Sequence, residues 1–235
     1  MIDWSKYFDH IFCIHYLAND RVNRHHQLIN ELSRVGIYQS GIFSFIYDED
    51  SVITNDIMEN ARNKYFIGLD KYGKRVTINH YKAFNIAKIC GYKNILVLED
   101  DVCFLKDLDE LEKYIQETSI LNTDLIMYDY ITYKNIYTNT ELNCFATCYQ
   151  LKNDGIDKMI KNLEHIHMYI IDLYFSTTNH YNFYAKDYEQ PIVYPHVLSI
   201  SKCPKRLALQ RNNPAYKNCH IDINYDEYEN FFYKT

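Results

Sequence analysis

Three acidic residues in succession, Glu99-Asp100-Asp101, follow the apolar run Asn94-Ile95-Leu96-Val97-Leu98. Clustered carboxylates at the end of a buried strand are costly to desolvate unless a cation or solvent answers them. Strand ends of this kind are where open α/β sheets bind ligands. In extended backbone residues i and i+2 point the same way, so Glu99 and Asp101 are expected to face one ligand while Asp100 points elsewhere. Hard oxygen donors suit Mg²⁺ or Mn²⁺, which keep part of their shell for phosphate oxygens. The plainer alternative is that the three acids end a strand at the surface and cap the next element.

Other residues with chemical potential are scattered. Arg21 and Arg24 come after the first apolar run and are placed to meet an anion, or to be solvated at a helix start. His80 falls on an apolar helical stripe, the position of a structural histidine. His196 comes after Tyr194-Pro195, and Asp172 after the apolar Met168-Tyr169-Ile170-Ile171, where an unpaired acid would be wasteful. The pairs His25/His26 and His165/His167 and the Cys144-x-x-x-Cys148 spacing do not make a four-ligand zinc pattern. GxxxxGK[ST], a GxGxxG after the first strand, GxSxG and HExxH are absent from the sequence.

The elements that must hold these residues alternate. Ile11 to Leu17 reads as a strand covered on both faces. After Asn19-Asp20, residues Leu28, Ile29, Leu32 and Val35 recur at helical spacing up to Gly36. Ile42 to Tyr47 is a second strand, and 51–75 reads as loop and short helix. Val76 to Cys90 is a helix with Val76, His80, Ala83, Ala87 and Cys90 on one stripe, stopped by Gly91. Asn94 to Leu98 should be the most buried strand, and Asp107 with Glu110 is a capping box for the next helix, whose stripe is Leu108, Leu111 and Ile115. Leu125 to Ile131 and Cys144 to Leu151 read as strands, and Gly155 to Tyr174 as one long or two short helices. The alternation implies one α/β domain over 1–200, a mostly parallel central sheet with helices on both faces. Residues 201–235 read as a C-terminal extension, packing on the domain or reaching an acceptor.

With 235 residues, 47% hydrophobic and 24% charged, the chain can bury a full core. Lys and Arg total 25 against 31 Asp and Glu, a net charge of −6, which removes the electrostatic basis for a dedicated nucleic-acid binder. The seven Cys form no CxxC pair and read as buried free thiols. Neither an export signal nor a spanning segment is evident, so the expectation is a cytoplasmic protein. Lys202, Lys205, Arg206 and Arg211 leave room for a peripheral contact with an anionic membrane surface, an anionic acceptor or a diphosphate.

Asn79-His80-Tyr81-Lys82-Ala83-Phe84-Asn85-Ile86-Ala87, with Gly91 to Leu98 and Glu99-Asp100-Asp101-Val102 after it, resembles the signature of glycosyltransferase family 25, the lipopolysaccharide and collagen galactosyltransferase-like group. Ile14-His15-Tyr16 stands where that family has Ile-Asn-Leu, and Asp20-Arg21 and Glu31 to Ile37 are similar to its Asp-Arg and Leu-x-x-x-Gly-Ile elements. Phe145 to Leu151 and Ile171-Asp172-Leu173-Tyr174 resemble its later strand and Asp-containing helix. The likeness covers roughly residues 9–200; Asn79 replaces the usual Ser, and His15 the usual Asn.

The resemblance implies a GT-A type, Rossmann-like sandwich and transfer, with inversion, of a hexose from a nucleotide sugar to a glycan, glycolipid or glycoprotein acceptor. A UDP-hexose such as UDP-galactose is the implied donor. Asp101 would be the direct Mn²⁺ or Mg²⁺ ligand, Glu99 a ligand through water or a ribose contact, and His196 a completing ligand. His15, Arg21, Arg24 and His80 would line the donor, Asp100 would orient the loop, and Asp172 would be the catalytic base, with Asp187 and Glu189 in reserve. A phosphoryl-transfer enzyme or nuclease using Asp48, Asp50 and Asp129 is an alternative, as is a catalytically silent nucleotide- or glycan-binding module.

Overall fold

β1 (His10–His15) is buried at every position from Ile11 to His15, so both of its faces must be covered. Ile11 and Cys13 pack in one cluster with Leu28 and Leu32 of α1 (Val22–Arg34). Phe12 and Ile14 pack in a second with Ala83, Phe84 and Ala87 of α2 (Lys71–Cys90). The same period of two runs through β3 (Asn94–Glu99): Leu96 and Leu98 lie on the α1 side, Ile95 and Val97 on the α2 side. α3 (Leu108–Ser119) joins the first cluster through Leu111 and Ile115, and α4 (Gly155–His165) joins the second through Ile156, Met159, Ile160 and Leu163. The computed structural model describes residues 1–15, 22–47, 71–129, 131–134, 141–144, 147–152, 154–165, 198–202 and 208–210.

Among these residues the main sheet has six strands. Its order is β2 (Phe43–Tyr47), β1, β3, β8 (Cys148–Lys152), β5 (Leu125–Met127) and β9 (Ile200–Lys202). β2, β1 and β3 are mutually parallel and β5 is parallel to β9, while β8 runs antiparallel to both β3 and β5. The chain is therefore α/β with a mixed, mostly parallel sheet and helices on both faces, as the alternation of elements leads one to expect. Two small antiparallel pairs flank it: β4 (Val102–Phe104) with β10 (Ala208–Gln210), and β6 (Ile131–Lys134) with β7 (Glu141–Cys144).

Both helix stops predicted at glycine take one form. Gly36 and Gly91 have φ of 82° and 72°. The Ile37 N–H bonds the Leu32 carbonyl while Gly36 N–H bonds Ser33, and Tyr92 and Gly91 repeat this onto Ala87 and Lys88. These are Schellman caps, which need a left-handed residue at that position. At the start of α3, Asp107 accepts from the N–H groups of Asp109 and Glu110, as its capping role requires.

Several boundaries differ from those the sequence pattern predicts. α2 already includes Lys71, ahead of the expected start at Val76; the added residues Lys71-Tyr72-Gly73-Lys74-Arg75 are mostly polar and carry no apolar stripe that could announce a helix. Cys90, placed on that stripe, is exposed, as are Lys88 and Ile89 before it, whereas the thiols of Cys13, Cys103 and Cys148 are buried as expected. The single strand expected over Leu125–Ile131 is two, because the N–H groups of Tyr128 and Asp129 both turn onto the Cys148 carbonyl (3.1 Å each) and end the ladder. Likewise Cys144 closes β7 against Ile131 and Cys148 opens β8, so Cys144–Leu151 is not one strand. The boundary expected between 200 and 201 falls inside β9, which belongs to the main sheet, and β10 pairs with β4, so residues 200–202 and 208–210 join the sheets of the preceding domain. α4 is described as far as His165; the rest of the helix expected to Tyr174 and the extension beyond 210 lie outside the described residues.

Two clasps fix the layers. Glu31 of α1, 8% exposed, accepts the Phe104 N–H at 2.6 Å and a two-pronged contact from Arg34 (2.7 and 2.9 Å). Arg34 in turn donates to the carbonyls of Phe104, Leu105 and Lys106, binding α1 to the chain after β4. At the other end of the sheet Asp124 accepts from Lys158 of α4 and from the Ser199 N–H and hydroxyl, all at 2.8 Å. Burial alone would raise the Asp124 carboxyl, but these donors outweigh it and hold it below its ordinary value of 3.8.

The Asp124 corner sets two stability outcomes. A methyl group at Gly155 would lie 2.5 Å from the Asp124 carbonyl oxygen, a backbone atom that cannot swing away. Gly155→Ala is expected to cost about 1–3 kcal/mol, read by urea unfolding with the fluorescence of Trp4, the chain's single tryptophan and 1% exposed. Because the folded-state pKa of Asp124 lies below its unfolded value, its contribution is present above about pH 4 and is lost as pH falls through the folded value. Asp124→Asn should flatten that part of the acid stability curve; an unchanged curve would remove the carboxylate from the account.

Candidate functional site

In the order β2-β1-β3 the connection through α1 leads to one side of β1 on one face, and the connection ending in α2 leads to the other side on the opposite face. The reversal falls between β1 and β3, and the crevice outside their carboxyl ends is where such sheets take ligands. His15 is the last residue of β1, and Glu99 the last of β3. The site is built from these two strand ends and the turn Asp100-Asp101.

The acids do not divide as the extended-chain rule suggests. Glu99 continues the alternation of Ile95 and Val97 and turns to the α2 face, where its Oε1 lies 3.2 Å from His80 Nε2. Asp100 goes to the α1 face, 2% exposed, with Oδ2 2.9 Å from His15 Nδ1. Asp101, half-buried, belongs to a turn between β3 and β4 rather than to extended backbone, so the i, i+2 relation with Glu99 does not carry to it.

Each of the first two carboxylates is thus met by a buried histidine. His80 is 0% exposed, stacks on Tyr149 (centroids 5.7 Å apart) and has Nδ1 2.6 Å from the Tyr149 hydroxyl. A carboxylate only accepts, so neutral His80 carries its proton on Nε2 toward Glu99 and accepts the Tyr149 O–H at Nδ1. His15, 3% exposed, lies beside Phe45 and Tyr47 of β2. Its Nε2 is 2.8 Å from Nδ1 of His25, an exposed residue near the start of α1, and the two rings stack at 5.0 Å. Next to His80, Asn79 is 1% exposed, and neither polar atom of its side chain has a hydrogen-bond partner among the described residues. Asp129, 0% exposed, lies just past β5 on the same edge of the sheet.

Of the sequence-derived candidates, the structure brings His15 together with Asp100 and His80 with Glu99, and sets Asp101 beside them in the turn. Arg24 lies in the first turn of α1. Arg21, Asp172 and His196, with the reserves Asp187 and Glu189, lie outside the described residues, as do Asp48 and Asp50. Among the described residues no group of three or more His, Cys, Asp and Glu forms a metal cage. Glu99 and Asp101 are hard oxygen donors, the type of ligand that Mg²⁺ takes from protein, usually one or two at a time.

Sequence pattern did not bring His25 or Tyr149 to the site. His25 could have been found, since it precedes Leu28, Leu32 and Val35 at spacings of three, four and three, on the stripe that faces Ile11 and Cys13. Tyr149 pairs with Val97 and so lies on the face of Glu99 two residues on, but that register is not written in the local sequence.

The chain matches no protein-family model, and no curated protein matches it. A mixed α/β sheet whose switch point carries two histidine-held carboxylates is what fold and site define.

Tyr149→Phe leaves His80 Nδ1 buried without the hydroxyl. A cost of about 1–3 kcal/mol is expected, or roughly 2–4 °C of Tm for each kcal/mol at this size. A Tm equal to that of the unsubstituted protein would show that the bond does not contribute.

Proposed function

We propose that this chain is a metal-dependent GT-A type glycosyltransferase that moves a hexose from a nucleotide sugar, with UDP-galactose or a related UDP-hexose as donor, to a glycan acceptor. The observation that carries the proposal is the position of Glu99-Asp100-Asp101 at the carboxyl end of β3, beside the end of β1, where a doubly wound sheet receives a ligand's phosphates. The central-segment resemblance to glycosyltransferase family 25 supports the same reading.

Transfer breaks the bond between the anomeric carbon and the diphosphate, and negative charge grows on the departing oxygen. A bound Mn²⁺ or Mg²⁺ supplies positive charge against that oxygen. Asp101 would hold the cation directly, and Glu99 would hold it directly or through water, its carboxylate oriented by His80. Arg24, in the first turn of α1, would be a partner for the diphosphate. His15 and Asp100 fix the floor of the crevice on the α1 side. Arg21 and His196 would join the donor and metal contacts. A phosphoryl-transfer reading has one observation in its favour, the fully buried Asp129 on the same edge, and it predicts phosphate release without sugar transfer.

No helix of the described residues is long and apolar enough to cross a membrane. A cytoplasmic enzyme with a peripheral contact at the inner face of a membrane is the placement that suits this donor chemistry.

The test is a thermal-shift panel of nucleoside diphosphates and nucleotide sugars, with and without Mn²⁺. A ligand at about 100 times its Kd adds roughly 2.7 kcal/mol. Asp101→Asn should abolish the Mn²⁺-dependent part of the shift while leaving the unliganded Tm near wild type. A panel in which no nucleoside diphosphate stabilises the protein sinks the proposal.

A further inference from the structure

We infer that Asp100, His15 and His25 form a two-histidine proton relay, and that His25 Nε2, its outer end, is the base that takes the proton of a bound hydroxyl. The inference rests on the transferase reading for the identity of that hydroxyl, the acceptor's, and on geometry alone for the relay. The three groups are joined by contacts of 2.9 and 2.8 Å and run from a 2% exposed carboxylate to an exposed imidazole.

The direction of the bonds is set by what each atom can do. Ionised Asp100 can only accept, so His15 Nδ1 carries a proton. Neutral His15 then has a bare Nε2, which accepts the Nδ1 proton of His25. That leaves the lone pair of His25 on Nε2, the nitrogen that makes no bond within the relay. A histidine free in solution prefers the other neutral tautomer, with the proton on Nε2. The buried pair therefore selects the form of His25 that can act as a base at Nε2.

The proton balance closes. As the hydroxyl oxygen bonds to the anomeric carbon, the carbon–oxygen bond to the diphosphate breaks and its electron pair leaves with the diphosphate. The O–H proton passes to His25 Nε2, and the His25 Nδ1 proton passes to His15 Nε2. Two bonds to hydrogen break and two form. The positive charge comes to rest on His15, 2.9 Å from the Asp100 carboxylate, while His25 stays neutral. A buried imidazolium is costly alone, but here it forms beside a negative charge already in place. Return of the Nδ1 proton from His15 to His25, with release of the Nε2 proton to water, resets the chain. His25 is then the catalytic residue, with His15 and Asp100 positioning it.

The experiment uses the full chain with ¹⁵N-labelled histidine. Long-range ¹H–¹⁵N correlations, at a pH where His25 is neutral, read which of its nitrogens carries the proton. The expected result is Nδ1–H with bare Nε2 in the wild type, and a shift toward Nε2–H in Asp100→Asn, whose amide can donate to His15 Nδ1 and reverse both bonds. A wild-type His25 protonated on Nε2 overturns the relay. His25→Gln changes an exposed side chain and should fold; it is expected to lower sugar transfer at least ~10²-fold, with the Mn²⁺-dependent stabilisation by nucleoside diphosphate unchanged. Transfer at the wild-type rate in His25→Gln, with loss in Asp172→Asn, overturns the base assignment. If the wild type binds no nucleoside diphosphate, it is the transferase reading that fails, and the tautomer measurement still decides the relay.

Discussion

A carboxylate removed from water must find donors, and Asp100 at 2% exposure finds one in the Nδ1 of His15 on the neighbouring strand. That contact requires β1 and β3 to be parallel and adjacent, in a register that opposes Ile14 to Glu99. It also requires the chain to leave the extended form straight after Glu99, so that Asp100 and Glu99 can serve opposite faces. Much of the site's architecture depends on this requirement. Leu96 and Leu98 must lie on the α1 side and Ile95 and Val97 on the α2 side, which assigns one pair of helices to each face.

α1 holds this arrangement from both of its ends. Near its start His25 meets His15, and at its close Glu31 and Arg34 grip the backbone of Phe104 to Lys106. The acid turn lies between those attachments, so one rigid helix spans the segment that carries the candidate ligands. Rigid support of this kind is what a charged site needs if its geometry is to exist before the ligand arrives.

The parts of the fold that rest on local chemistry were legible in the sequence. Gly36 and Gly91 as stops, Asp107 as a cap, and the buried run before Glu99 each depend on a few adjacent residues. What depended on register was not. Nothing near Leu125 reveals that the N–H groups of Tyr128 and Asp129 will converge on the Cys148 carbonyl, and nothing near Tyr149 reveals that it will meet His80 across 69 residues. The acid triplet was legible as the end of a buried strand, but its division between the two faces was not, because the turn at Asp100 overrides the alternation of the strand. His25 was within reach: its helical spacing places it on the stripe of Leu28, Leu32 and Val35.

β4 is three residues long, comes directly after the acid turn and pairs with β10. Phe104, at its end, faces Ala208, which comes more than a hundred positions later in the chain. Synthesis from the amino terminus would therefore expose the edge of β4 until that later part of the polypeptide emerges. A nascent chain would carry an open, sticky edge beside an acidic turn, and the carboxylates of that turn, by mutual repulsion between copies, would act as its gatekeepers against premature association.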